Sequence, residues 1–84
     1  MKRLTNLAAL EVGQEAVINE INLTGAILKR VYDLGFLPEV KVRCVLKAPS
    51  KSPIAFHIKG TKVALRKKDA QKIFCTVSDG GKYL

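Results

Sequence analysis

The spacing of apolar residues switches from a helical to an alternating period around Gly35–Pro38, and this makes that region the most legible part of the chain. Ile27, Leu28, Val31 and Leu34 fall on one stripe of a helix, with Lys29, Arg30 and Asp33 on the other side. The spacing predicts a helix over about 24–35. Thr24, or Asn22 before it, can accept a backbone N–H of the first turn. Gly35 follows the last periodic residue, where a left-handed conformation is cheapest for glycine, and Pro38 prevents the helix from resuming. Beyond it, Val40, Val42, Cys44 and Leu46 are expected to face one way and Lys41, Arg43 and Lys47 the other, as in a half-buried strand.

The flanking segments read less cleanly. Leu4, Leu7 and Leu10, with Thr5 as a cap, suggest one or two helical turns ending at Gly13. Residues 14–22 read as a strand with Val17, Ile18 and Ile21 as its apolar members, its imperfect alternation pointing to a bend or bulge. Two prolines and two serines make 48–53 a loop. Ile54, Phe56 and Ile58 then alternate with Ala55, His57 and Lys59 in a strand closed by Gly60. Val63 and Leu65 mark a short strand, 67–72 a helical turn with Ala70 inward, and 73–77 a last strand. The sum is a mainly β chain: a small SH3-like, partly open β-barrel of about five strands with one inserted helix and a short helical turn near 67–72. One domain is expected over 1–77, and a flexible polar tail over 78–84.

Composition narrows the function classes. Eighty-four residues, 48% of them hydrophobic, suffice for one small core. No apolar run approaches the ~20 residues needed to span a bilayer, so no membrane span is expected. The amino terminus starts like a secretion signal, but Glu11, Gln14 and Glu15 interrupt the apolar stretch such a signal needs, and a cytoplasmic location is expected. A net charge of +8 favours an anionic partner, although the basic residues are spread along the sequence. One histidine, scattered carboxylates and no glycine-rich phosphate loop argue against an enzyme. Cys44 and Cys75 sit at apolar-facing strand positions and read as buried small hydrophobes. A metal site from Cys44, Cys75 and His57 is disfavoured, because a closed thiolate site needs four ligands and His57 alternates to the opposite side; no cofactor and no metal ligand is assigned.

Taken in order, the motifs resemble the ferrous iron transport protein A family (FeoA-type domains). The matching pieces are Leu7 to Leu10, Gly13-Gln14, Leu34-Gly35-Phe36-Leu37-Pro38, Ala48-Pro49, Pro53-Ile54, Gly60, Val63-Ala64-Leu65-Arg66, Ala70 and Ile73. The resemblance spans roughly Leu4 to Val77. Two departures touch loops. Glu39 stands where the family usually has glycine after the proline, and is expected to favour a type I over a type II turn. Ser50-Lys51-Ser52 makes the following loop tip more basic. The resemblance implies a small cytosolic accessory protein of bacterial ferrous iron uptake that binds and modulates the membrane GTPase-transporter on its cytoplasmic side. Similar domains also serve metal-dependent transcriptional repressors.

Two surfaces are candidates. For protein interaction, Lys29, Arg30, Tyr32 and Asp33 lie on the helix, with Phe36, Leu37 and Glu39 beside it. For the alternative, a basic SH3-like module that binds nucleic acid or serves as a metal-responsive regulatory domain, Lys62, Arg66, Lys67 and Lys68 form the basic surface. Nucleic acid is the less favoured partner, because few of the aromatic residues, 6% of the chain, remain to stack on bases. A monomer or weak homo-oligomer is expected.

Overall fold

Six antiparallel strands form one sheet in the computed structural model, which describes residues 2–78. In chain order the elements are β1 (Lys2–Asn6), a 3₁₀ turn (Leu7–Ala9), β2 (Glu15–Ile21), α1 (Gly25–Leu34), β3 (Lys41–Lys47), β4 (Ile54–Ile58), β5 (Thr61–Leu65), α2 (Lys67–Ala70) and β6 (Ile73–Ser78). Across the sheet the order is β1-β6-β2-β3-β4-β5, which leaves β1 and β5 at the edges. The mainly β architecture with one inserted helix is the one the sequence predicts, with six strands instead of about five.

The additional strand is β1. Leu4 does not start a helical turn: Lys2–Asn6 runs antiparallel to β6, from Lys2 opposite Ser78 to Asn6 opposite Phe74, and Leu4 is 77% exposed. Asn6, not Thr5, caps the following turn, accepting the Ala8 N–H at 2.9 Å on its Oδ1. Leucines three apart satisfy a helical reading, but a strand followed by a tight turn buries Leu7 and Leu10 just as well, and the partner β6 lies some 70 residues away. Ser78 belongs to β6, one residue into the expected tail, and the rest of that tail lies outside the described residues.

Two bulges interrupt the alternation, and the second reassigns a face. In β2 the core-facing residues are Ala16 and Ile18, while Val17 is 38% exposed; the register slips between Ile18 and Glu20, as the imperfect alternation suggests. In β3, Val42 and Cys44 point inward, but Leu46 is 54% exposed, against expectation. A register shift between Cys44 and Leu46 against β4 inserts an extra residue and turns the strand over.

The helix seats on the core as predicted. Val31 is fully buried, with Ile27, Leu28 and Leu34 packed half-buried around it. Thr24 occupies the N-cap position with no side-chain cap bond. Gly35 is left-handed (φ 106°), and the N–H groups of Gly35 and Phe36 donate to the carbonyls of Tyr32 and Val31. The chain then turns Phe36 into the interior, fully buried and edge-to-face with Phe56 at 6.2 Å between ring centroids. The helical turn near 67–72 forms as α2, ending at Ala70. Ala70 is fully buried, as expected.

Glu39 departs from expectation. The Val40 N–H donates to the Leu37 carbonyl at 3.2 Å, and Glu39, third in that turn, has φ 71°, the conformation of a type II turn. Tertiary pairing overrides the side-chain preference. The Glu39 N–H donates to the Ile18 carbonyl at 2.7 Å and the Ile18 N–H to the Val40 carbonyl at 2.9 Å, so two bonds to β2 hold the turn. Because a left-handed non-glycine residue costs about 1–2 kcal/mol and glycine returns part of that through unfolded-chain entropy, Glu39→Gly is expected to stabilise the fold by about 0.5–1 kcal/mol. Urea denaturation of the two proteins measures it; a lower midpoint for the glycine variant contradicts this account of the turn.

Candidate functional site

The side of α1 away from the core carries Lys29, Arg30 and Asp33, which the helical period puts together because Val31 and Leu34 are spent on packing. These three border a shallow cleft with Ala26 and Leu34. Tyr32, one residue past buried Val31, is 42% exposed. At the helix C-terminus the aliphatic stem of Lys59 passes over Gly35, where a Cβ would stand 3.5 Å from its Cδ. A cation there complements the negative end of the helix. Leu37 is half-buried and Glu39 exposed on the turn pinned to Ile18. Six of the seven sequence-predicted interaction residues therefore have some surface at or beside α1. The seventh, Phe36, has none: it belongs to the core, because α1 is seated on the sheet so that the chain leaving Gly35 carries this ring onto Phe56.

The four basic candidates do not form one cluster. Arg66 and Lys68 line a second cleft, with Lys72, Asn22 and Thr24, where α2 faces the start of α1. The Arg66 Nε lies 3.2 Å from Asp69 Oδ2, an ion pair that covers the one buried carboxylate among the described residues. The Lys67 N–H donates to the Ser52 hydroxyl at 3.2 Å, tying α2 to the loop before β4. Lys62 stands apart on the outer face of β5, opposite His57 on β4, which in turn lies opposite Arg43 on β3. Arg43 pairs with Glu15 at 2.9 Å.

Among the described residues no three His, Cys, Asp or Glu side chains converge. His57 is exposed while Cys44 and Cys75 are fully buried, so the sheet itself separates them. Burial pushes the Cys75 thiol up to about 11, with Arg3 pulling weakly the other way. Cys44 is likewise raised by burial, partly offset by Lys47 and by a backbone bond from Leu46. Such thiols are poor nucleophiles and poor metal ligands.

Sequence reasoning missed an apolar area on the outer face of β1, β6 and β2. Leu4 and Phe74 (39% exposed) border a depression with Thr5, Asn6, Asn19 and Glu20, and Val17 lies beside it, opposite Thr76. Its signal was the alternation of Leu4 with Arg3 and Thr5, which becomes visible only once β1 is a strand. No helix among the described residues is long and apolar enough to cross a membrane.

Comparison with known proteins adds three findings. The family model described as FeoA domain matches residues 5–77. A fusion of Fe(2+) transport protein A with the Fe(2+) transporter FeoB from Porphyromonas gingivalis is 34% identical over 67 residues; the match covers 80% of this chain but spans only 8% of that protein's length. Among solved structures, iron(II) transport protein A from Clostridium thermocellum superposes with a TM-score of 0.86 at 29% identity, over 90% of this chain and 47% of the other. The zinc complex of Stenotrophomonas maltophilia FeoA, described as a procaryotic SH3 domain protein, gives 0.73 at 29% identity, covering 84% and 88%. The SH3-like expectation for the fold is thereby met.

Proposed function

Since the chain belongs to the FeoA domain family, whose members take part in ferrous iron transport, we propose that it is a cytoplasmic accessory protein that binds and modulates the membrane GTPase-transporter through the exposed side of α1. The observation that carries this reading is the Porphyromonas fusion: a segment similar to this chain shares one polypeptide with the transporter, which is expected when the two must meet. The Stenotrophomonas relative, put forward as a ferrous iron transport activating factor, supports modulation as the outcome of that meeting.

The α1 face suits docking. Val31 and its half-buried neighbours fix the helix on the core, so Lys29, Arg30 and Asp33 are presented without a conformational cost to the backbone. Their mixed charge favours a partner surface of mixed charge, and Tyr32 offers a ring with a polar tip. The basic side of the molecule is a weaker basis for nucleic-acid binding: between Lys47 and Lys72 the one phenylalanine, Phe56, is fully buried, no tyrosine or tryptophan occurs, and His57 alone offers an exposed ring.

Binding of the chain to the isolated cytosolic domain of the transporter, followed by calorimetry, tests the proposal, with GTP hydrolysis measured alongside. Lys29→Glu combined with Arg30→Glu is expected to weaken binding about tenfold with the fold unchanged, two rim charges being reversed. Unchanged affinity of that variant rejects the α1 face, and absence of binding by the wild-type chain rejects the partner.

A further inference from the structure

The positive charge of this molecule is concentrated in one contiguous stretch of the chain, and the fold sets that stretch at one side of the sheet. From Lys2 to Leu46 the chain carries six Lys and Arg against five acids; from Lys47 to Lys72 it carries eight against one. That single acid, Asp69, is already engaged by Arg66. Nearly all of the excess positive charge therefore sits on one limb of the sheet, comprising β4, β5 and α2 with their loops.

The same limb ends in a free strand edge. Among the described residues β5 pairs with β4 alone, from Ile54 opposite Leu65 to Ile58 opposite Thr61, so its other side is the margin of the sheet. Val63 and Leu65 are buried in the core, which anchors the strand on that face. Thr61, Lys62 and Ala64 are exposed. We propose that the free edge of β5 takes up an acidic, extended polypeptide segment as an added strand, its backbone pairing with β5 and its carboxylates meeting Lys62 and the Arg66–Lys68 run. Main-chain hydrogen bonds supply affinity in this mode, and side-chain charge supplies selection.

The other occupants fit less well. A second copy would bring two strongly positive limbs together, and like charges across a strand pair destabilise it. A nucleic acid would find His57 as the one exposed aromatic ring on this limb, too few for a stacking platform. The opposite edge, β1, is protected: Arg3 stands opposite buried Val77, on the core-facing side of the strand, a placement that discourages strand addition. The proposal does not depend on the transporter reading, because edge and charge are properties of this chain.

The probe is a blocked peptide of about eight residues alternating Glu with Thr, titrated into the ¹⁵N-labelled full chain at low salt. Amide shifts and slowed hydrogen exchange are expected at Thr61–Leu65, with α1 unaffected, and the Lys29→Glu/Arg30→Glu variant should bind the peptide as wild type does. Lys62→Glu with Lys67→Glu, both at exposed positions, should weaken binding about tenfold. The same peptide N-methylated at alternate residues keeps its charge but cannot pair, and should lose binding. Equal binding by the methylated peptide, shifts centred away from β5, or tighter binding of duplex DNA or of phosphatidylglycerol vesicles than of the peptide at the same salt would each overturn the proposal.

Discussion

Replacing Phe36 with alanine is expected to destabilise the protein by about 3–5 kcal/mol, the usual cost of removing a buried ring that neighbours cannot collapse to replace. The ring is fully buried, packs edge-to-face on Phe56 at 6.2 Å, and follows the left-handed Gly35 that ends α1. A domain of this length has roughly 4–13 kcal/mol of stability in total, so the variant should be marginal or unfolded at 37 °C. Thermal and urea denaturation measure the loss. Phe36→Leu fills most of the space and should remain folded. Because Phe36 has no surface, that variant should bind the transporter domain as the wild type does. A folded Phe36→Leu protein with selectively lost binding would return Phe36 to the interface.

The second large effect is a loss of stability at high pH. Cys75 is neutral in the folded protein up to about 11, against an ordinary thiol value of 9.0, because burial disfavours its thiolate. In the unfolded chain the thiol ionises near 9. The folded state therefore holds the proton that the unfolded state releases, and stability falls as pH rises from about 9 to about 11. Below 9 both states are protonated and this thiol contributes no slope. The full loss is on the order of 2–3 kcal/mol for a shift of this size. Cys44, raised by burial too, adds in the same direction. Urea midpoints at pH 8 and pH 10.5 measure the fall, and Cys75→Ala, which removes the titrating group without overpacking the site, should flatten it. An equally steep fall in that variant would assign the dependence to other groups.

These two residues show where sequence reading succeeds and where it stops. Cys75 was legible as a buried thiol from its place between Ile73 and Val77 in an alternating run, because alternation is a local property of a strand. Phe36 was not assignable: a residue after a helix-ending glycine can point inward or outward, and only the seat of α1 on the sheet decides. Glu39 makes the same point in a turn. Its side chain prefers one geometry, and two hydrogen bonds to Ile18 impose another. At the candidate site Lys29, Arg30 and Asp33 were readable from helical spacing, whereas the separation of Lys62 from Arg66–Lys68 follows from strand register, which no spacing reveals.

By itself the sequence determined the inserted helix and its stop, the alternating strands from Ile54 to Val77, the inward Ala70, the buried cysteines and the family. Each of these rests on periodicity, on a residue with a restricted backbone, or on an ordered set of short motifs. The tertiary structure alone decided that Lys2–Asn6 is a strand, that a bulge turns Leu46 outward, and that the basic 47–72 stretch flanks an open edge. Those outcomes depend on partners tens of residues away. A short segment's own preferences are worth a few tenths of a kcal/mol per residue, less than the pairing and burial it gains on meeting them.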